Sequence, residues 1–159
     1  MGLIVVGIAD AQISSNPEDT LVTYSLGSCL GITFYEPYRQ IGAMIHIMLP
    51  DCSLENNAPI NPYKYVSSGV PLLIKKLNQK GINKNRLIIK VAGGGQILQD
   101  NRLFNIGERN YRAFKDYLYK ESLKIHRQDV GGTINRTIRL SLQTGVLSIK
   151  RSSKEIIEI

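Results

Sequence analysis

Cysteine is scarce in this sequence: its 159 residues include only Cys29 and Cys52. Two thiols in a chain of this length do not make the disulfide framework of a small secreted domain. Residues 1–6 lack the basic start of a signal peptide, and Val6 stands where an N-myristoylation motif has Ser or Thr. We therefore expect both thiols to be reduced and the protein to be cytoplasmic.

Long apolar runs and blocks of like charge are also missing. No uncharged apolar stretch approaches the length needed to span a bilayer. The 20 Lys and Arg residues against 13 Asp and Glu residues give a formal net charge of +7, but the basic residues are dispersed along the chain. This charge favours acidic partners without choosing among nucleic acid, anionic lipid and acidic protein. We expect a solvated basic surface, no nucleic-acid partner and no membrane-embedded segment.

Spacings typical of metal and phosphate sites are absent as well. Cys29, His46, Cys52 and His126 could together supply four ligands, but no C-x-x-C or H-x-x-x-H spacing preorganises them. Gly93-Gly94-Gly95 follows a predicted strand without the glycine-lysine or G-x-G-x-x-G pattern of a phosphate-binding loop. We expect no metal and no cofactor, and we interpret the three glycines as a backbone bend.

The apolar residues, 43% of the chain, are enough for the core of one domain. β-Branched and alternating patterns predict strands at residues 3–9, 20–26, 30–35, 41–48, 86–92, 124–130, 137–142 and 146–150. Short turns predict two hairpins, one joining 30–35 to 41–48 and the other joining 137–142 to 146–150.

Two segments have helical spacing. Leu72, Leu73 and Leu77 predict a helix that ends near Gly81 with Pro71 early in it, and a capping box at Asn105-Ile106-Gly107-Glu108 predicts the start of a second. The expected fold class is therefore α/β, a single-domain strand-rich sandwich over residues 1–159 with two main helices.

Cys29 ends the segment Leu26-Gly27-Ser28-Cys29, directly after a predicted strand. A lone cysteine is more often a small buried hydrophobe than a nucleophile. Gly27 permits a tight turn that presents the thiol to solvent while the N–H groups of Gly27, Ser28 and Cys29 face an incoming carbonyl oxygen. Both roles stay open on these residues alone.

His46 lies in an otherwise apolar predicted strand, where a histidine is more often a hydrogen-bonded core residue than a base. The predicted hairpin could return it to the Cys29 end, where its imidazole would take the thiol proton. A third group should orient the imidazole: Thr23 lies on the strand before the turn, and Asp10 and Asp51 are carboxylate alternatives. A polar loop at 51–62 follows His46 and could border the site.

Six segments, in this order, resemble the chemoreceptor glutamine deamidases, the CheD family: Leu26-Gly27-Ser28-Cys29, residues 42–50, Gly93-Gly94-Gly95, Ile106-Gly107-Glu108-Arg109-Asn110, Asp129-Val130-Gly131-Gly132 and Thr144-Gly145-Val146. The combination of L-G-S-C with H-x-M-L-P is the most specific part. The resemblance implies an enzyme that converts receptor glutamine side chains to glutamate with release of ammonia, without a cofactor. It also implies an α/β sandwich similar to deamidating bacterial toxins.

Position by position, the resemblance implies that Cys29 is the nucleophile, His46 the base and Thr23 the residue that orients the base. The turn itself makes Gly27 and Ser28 the expected support of the oxyanion. It implies two protein partners, namely a methyl-accepting chemotaxis receptor as substrate and the phosphatase CheC, which couples CheD to phosphorylated CheY. The chain departs from the family pattern at Ser67, where Asp is frequent, and at Asn135, where Gly is common. The alternative function is a non-catalytic adaptor that binds receptors or CheC through the same surface.

Overall fold

The computed structural model describes residues 2–53, 60–96, 105–152 and 154–159. In these ranges it contains ten strands: β1 (Leu3–Val5), β2 (Asp10–Ser14), β3 (Thr20–Leu26), β4 (Leu30–Glu36), β5 (Ile41–Ile47), β6 (Ile88–Gly93), β7 (Arg127–Val130), β8 (Arg136–Ser141), β9 (Leu147–Arg151) and β10 (Ile156–Glu158). The two α-helices are α1 (Val66–Gln79) and α2 (Ile106–Lys120). Two short 3-10 helices, Pro62–Lys64 and Lys84–Arg86, precede α1 and β6.

The strands form two five-stranded sheets. Sheet A has the order β1-β3-β8-β9-β10, and sheet B has the order β2-β5-β4-β6-β7. Antiparallel pairing of β4 with β5 and of β8 with β9 confirms both predicted hairpins. The predicted class, a strand-rich α/β fold with two helices in one domain, is confirmed.

The sequence patterns do not predict two of the strands, β2 and β10, and both lie at sheet edges. Edge strands are commonly short and polar, which weakens the alternating pattern that sequence analysis depends on. The first predicted strand is too long, because the chain turns at Gly7–Ala9 and leaves sheet A before entering β2 in sheet B.

Each helix differs from its prediction near its N-terminus. α1 starts at Val66, well before Leu72, so that Pro71 lies inside the helix. α2 begins at the predicted place, but the capping box is wrong: Asn105 has a left-handed backbone with φ 54°, and its side chain makes no cap hydrogen bond. An N-cap residue needs extended backbone angles for its side chain to reach the first free N–H groups. Within the described ranges no helix is long and apolar enough to cross a membrane.

Sheet B lies between the helices and sheet A, so its central strands are buried on both faces. One face of β4 and β5 packs on α1 and α2 through an apolar cluster that includes Leu30, Ile32, Phe34, Ile45 and Ile47. Burying such side chains stabilises a fold by about 1.5–3 kcal/mol each. The opposite face meets sheet A through a second cluster that includes Met44, Leu21, Ile138 and Leu140. Alternate residues of β5 therefore face sheet A, and His46 is one of them.

The chain passes between the sheets three times at one end of this sandwich. It leaves sheet A after β1 and after β3, which are parallel neighbours, and it returns to sheet A after β7. β4 starts at this end with Leu30 opposite both Gly93 and Ile47, and β7 finishes beside Gly93. The turn that carries Cys29 and the end of the strand that carries His46 thus lie at the same end of the sandwich.

Candidate active site

Thr23 and His46 face each other across the two sheets. The Thr23 Oγ1 atom lies 2.7 Å from the Nδ1 atom of His46 and 2.7 Å from the carbonyl oxygen of Val6. A carbonyl can only accept, so the hydroxyl donates to Val6 and its lone pair accepts the proton on Nδ1. This arrangement leaves Nε2 unprotonated, with its lone pair available to act as a base.

The imidazole of His46 is kept neutral by its surroundings. The residue is 1% exposed, and burial lowers its pKa from 6.5 to about 4. The Nε2 atom is buried and accepts no hydrogen bond from the described residues. At neutral pH the group is therefore an uncharged base of fixed tautomer, which is the form that can remove a proton from a thiol.

Cys29 lies on the same face of sheet B as His46. His46 pairs with Gly31 and faces sheet A, and Cys29, in the bend just before β4, packs against the cluster between the two sheets. Cys29 is half-buried there. A Cβ atom on Gly31 would lie 2.6 Å from Ile138 of sheet A, so the missing side chain lets the sheets approach beside the pair.

The backbone around Cys29 is held by the Gly93–Gly95 bend. The N–H groups of Gly94 and Gly95 donate to the carbonyl oxygens of Cys29 and Gly27, both at 2.8 Å. Gly93 has φ 105°, and a Cβ atom there would lie 2.2 Å from the Cys29 carbonyl oxygen. The interpretation of these glycines as a backbone bend is confirmed, and the bend supports the turn that carries the thiol.

Asn110 completes the enclosure of the turn, and sequence analysis assigned it no role. Its Nδ2 atom donates to the carbonyl oxygens of Ser28 and Met48, each at 3.0 Å. The residue is fully buried on the inner face of α2, together with Gly107, Phe114 and Leu118. A polar residue at a core position of an amphipathic helix is the signal that could have singled it out.

Comparison with known proteins agrees with the family resemblance of the sequence motifs. The sequence model of the family described as CheD chemotactic sensory transduction matches residues 48–151. The chain is similar to a probable chemoreceptor glutamine deamidase, CheD 1, of Syntrophus aciditrophicus, with 39% identity over the whole of both chains. It is 38% identical to a protein of the same description from Solibacter usitatus, over 98% of this chain and 92% of the relative. The chain belongs to the CheD family. The resemblance noted in the sequence is thereby confirmed, and the names of these relatives support an enzyme.

The other side chains considered for the CheD site lie in different surroundings. Asp10 pairs with His46 through the backbone, but its carboxylate accepts from Gly7 N–H and Gln12. Asp51 accepts from Ser53 instead of an imidazole. Of the three alternatives, Thr23 is the one that contacts the His46 ring. Half of the polar loop predicted at 51–62, residues 54–59, lies outside the described residues.

The remaining cysteine and histidine of this CheD chain are both placed away from the Thr23–His46 pair. The Cys52 Sγ atom accepts from Ser67 at 3.3 Å, and the Nδ1 atom of His126 accepts from the Ile89 N–H at 3.0 Å. Over the described ranges, no group of three or more His, Cys, Asp and Glu residues could hold a metal ion. The four potential ligands named from the sequence are therefore not gathered into one site.

A cavity of about 370 Å³ borders the Gly94–Gly95 segment of the CheD chain. It is lined by the first turn of α2 and by Gly131, Gly132 and Thr133, and it includes none of Thr23, Cys29 and His46. The chemistry of the side chains is a better guide to the site than cavity size, because a substrate side chain presented by a folded protein needs only a shallow edge.

Proposed function

We propose that this protein is a protein-glutamine deamidase that converts glutamine side chains on methyl-accepting chemotaxis receptors to glutamate and releases ammonia. The observation that carries the proposal is the neutral His46, held by Thr23 with Nε2 unprotonated, on the same face and at the same end of the sandwich as Cys29. The names of the CheD relatives support the choice of substrate.

The first half of the reaction forms a thioester. His46 Nε2 takes the thiol proton while Cys29 Sγ attacks the carboxamide carbon of the receptor glutamine. The carbonyl oxygen becomes an oxyanion, which the backbone N–H groups of Gly27, Ser28 and Cys29 stabilise. The tetrahedral intermediate then collapses: the carbon–nitrogen bond breaks, and the imidazolium gives its proton to the departing nitrogen, which leaves as ammonia.

The second half hydrolyses the thioester. His46 Nε2 removes a proton from water, the resulting hydroxide attacks the thioester carbon, and the carbon–sulfur bond breaks. The Cys29 thiolate recovers its proton from the imidazolium. The net change is the addition of one water to one amide, which yields a carboxylic acid and ammonia and regenerates the enzyme.

The low pKa of His46 determines how the thiol is activated. An imidazole with a pKa of about 4 is neutral at pH 7, so it acts as a general base during attack and does not form a standing thiolate–imidazolium pair. Its conjugate acid is correspondingly strong, which favours protonation of the leaving nitrogen. Thr23 keeps Nδ1 protonated throughout, so the same nitrogen, Nε2, handles every proton.

The surface beside the site suits a folded protein substrate. Ile8 is 65% exposed and lies next to Ala9, whose N–H donates to the His46 carbonyl. Tyr24, 43% exposed, directly follows Thr23, and Leu3 and Val5 are exposed on neighbouring β1. In this proposal these exposed apolar side chains contact the receptor. The net charge of +7 would favour docking on an acidic receptor bundle.

Ammonia release from purified receptor fragments tests the proposal, with the modified glutamine located by peptide mass spectrometry. We expect activity in the wild type, loss of activity in Cys29→Ala and His46→Ala, and normal activity in Cys52→Ala, the matched cysteine control. Full activity of Cys29→Ala would refute the mechanism. Receptor binding by the wild type without any amide-to-acid mass change would instead support the non-catalytic adaptor.

The proposal extends to a CheC-like phosphatase as a second protein partner, for which the family resemblance is the support. Titration of this chain with a purified CheC-like protein, followed by sedimentation, tests that interaction separately from deamidation. Sedimentation of two independent species at micromolar concentration would contradict it.

A further inference from the structure

We propose that Asn110 is a positioning residue of the active site, which aligns the Ser28–Cys29 peptide with the end of the His46 strand. Its catalytic consequence rests on the deamidase function proposed above. The geometric part concerns the Cys29 turn alone and can be tested without a receptor.

The carboxamide of Asn110 joins the two segments that bear the nucleophile and the base. Its Nδ2 atom has two hydrogens, and it donates to Ser28 O and Met48 O at 3.0 Å each. Ser28 immediately precedes the nucleophile, and Met48 follows His46 by two residues. One planar group therefore sets the spacing between the turn and the strand end.

The bond to Ser28 also fixes the direction of a catalytic donor. The described peptide bonds are all trans, so the N–H of Cys29 points opposite to the carbonyl of Ser28. When Asn110 holds that carbonyl, it also holds the N–H of the nucleophile's own residue. This N–H is one of the donors assigned above to the oxyanion, and its aim determines how well it stabilises the tetrahedral intermediate.

The placement of Asn110 carries a cost that a purely structural residue would avoid. Its Oδ1 atom is buried and has no hydrogen-bond partner among the described residues. An unsatisfied buried acceptor costs about 1–3 kcal/mol. Rotating the amide would not help, because Oδ1 would then face two carbonyl oxygens. Neighbouring core positions of α2 hold Phe114 and Leu118, so an apolar residue would be the ordinary choice for packing alone.

α2 is docked closely enough to act as a rigid support. A Cβ atom on Gly107 would lie 2.2 Å from Gly95 O and 2.6 Å from Gly94 C, so the first turn of α2 lies directly on the glycine bend. The bend donates to the carbonyls of Gly27 and Cys29, and Asn110 donates to the carbonyl between them. Three consecutive carbonyls of the turn are thus held from the α2 side.

The test compares Asn110→Ser and Asn110→Asp with Tyr35→Phe, all in a Cys52→Ser background that leaves Cys29 as the one thiol. Serine removes the carboxamide with both of its N–H donors, and aspartate keeps the shape while replacing the NH₂ group by oxygen. Tyr35→Phe is the matched control, because it removes another buried side-chain bond to a carbonyl, from Tyr35 OH to Leu142 O at 2.8 Å, away from the site. Urea denaturation of each variant separates loss of stability from loss of function.

Two readouts follow, one with substrate and one without. With receptor fragments, we expect the kcat of both Asn110 variants to fall about 10–100-fold, with KM within about 3-fold of the wild type, and no change for Tyr35→Phe. With iodoacetamide alone, the pH dependence of Cys29 alkylation should move towards that of a His46→Ala protein in the Asn110 variants and stay unchanged in the control.

Each outcome decides the proposal. A wild-type kcat in folded Asn110→Ser or Asn110→Asp would overturn it, as would an equal fall in kcat for Tyr35→Phe. Where serine abolishes folding, the aspartate variant of the same size carries the test. If the wild type itself releases no ammonia, the deamidase function fails, and the inference on Asn110 then stands or falls on the alkylation profiles: identical profiles in wild type and variants would refute it.

Discussion

Acidification should destabilise this protein through His46, by an amount set by burial of its imidazole. The pKa of His46 is about 4 in the native state, against 6.5 for an exposed histidine. Below pH 6.5 the unfolded chain therefore binds a proton that the native state excludes. The stability associated with the neutral ring is fully present above pH 6.5 and is lost as the pH falls to about 4. At about 1.4 kcal/mol for each pH unit, the loss reaches about 2 kcal/mol at pH 5 and about 3 kcal/mol at pH 4.

The measurement is urea denaturation of His46→Gln and its parent between pH 7 and pH 4. Both proteins carry His126→Gln, so that His46 is the one imidazole that differs between them. Carboxyl groups titrate equally in the two proteins and cancel in the difference of their unfolding free energies. That difference should shift by about 3 kcal/mol against the parent across the range. An NMR titration of the His46 ring should give a native pKa of about 4.

Parallel stability curves from pH 7 to pH 4, or a native pKa near 6.5, would refute this reasoning. Either result would show that the ring is solvated or paired with a charge, and it would remove the argument for a neutral general base. The same pKa should set the acidic limb of kcat/KM, because protonated His46 cannot accept the thiol proton.

Three further predictions concern groups around the site. Thr23→Val should lower kcat about 10–100-fold, because His46 Nδ1–H loses its acceptor and the ring is no longer held in one tautomer. Thr23→Ser keeps the hydroxyl and should keep near wild-type activity. Equal rates for the two variants would contradict the role of the hydroxyl. Gly93→Ala should destabilise the fold by about 1–3 kcal/mol more than Gly131→Ala, because the added Cβ atom would clash with Cys29 O. Gly131 also has a positive φ, but a Cβ atom there would have no neighbour within 4 Å. Equal urea midpoints of the two variants would argue against the clash. Asp129→Asn should lower the free energy of unfolding by about 3–5 kcal/mol, because Arg136, whose side chain is 3% exposed, loses its carboxylate partner. The control Glu108→Gln, at an exposed ion pair, should lower it by less than about 1 kcal/mol. A urea midpoint of Asp129→Asn no lower than that of the control would refute the estimate.

Local patterns were sufficient for most of the secondary structure. β3 has its predicted bounds, and the two hairpins were predictable because each pairs neighbouring strands through a short turn. β2 and β10 were not predicted, because edge strands show little alternation of apolar and polar residues. The capping box at Asn105 failed because the backbone there is left-handed. Side-chain chemistry at a helix end is visible in a sequence, whereas the φ angle that directs the side chain depends on what the helix packs against.

The sequence by itself determined the family, the α/β class and the candidate nucleophile and base, because these depend on motifs and periodicities read along the chain. It favoured Thr23 over Asp10 and Asp51 as the partner of the imidazole, through its place before the turn and through the family resemblance. The contact itself depends on the packing of sheet A on sheet B, which places Thr23 against His46. Tertiary structure alone also revealed the contacts of Asn110, which lies 82 positions from Ser28 and 62 from Met48 and donates to both carbonyls. Contacts between residues so distant in sequence exist only once helix and sheets have packed, and no local pattern encodes them.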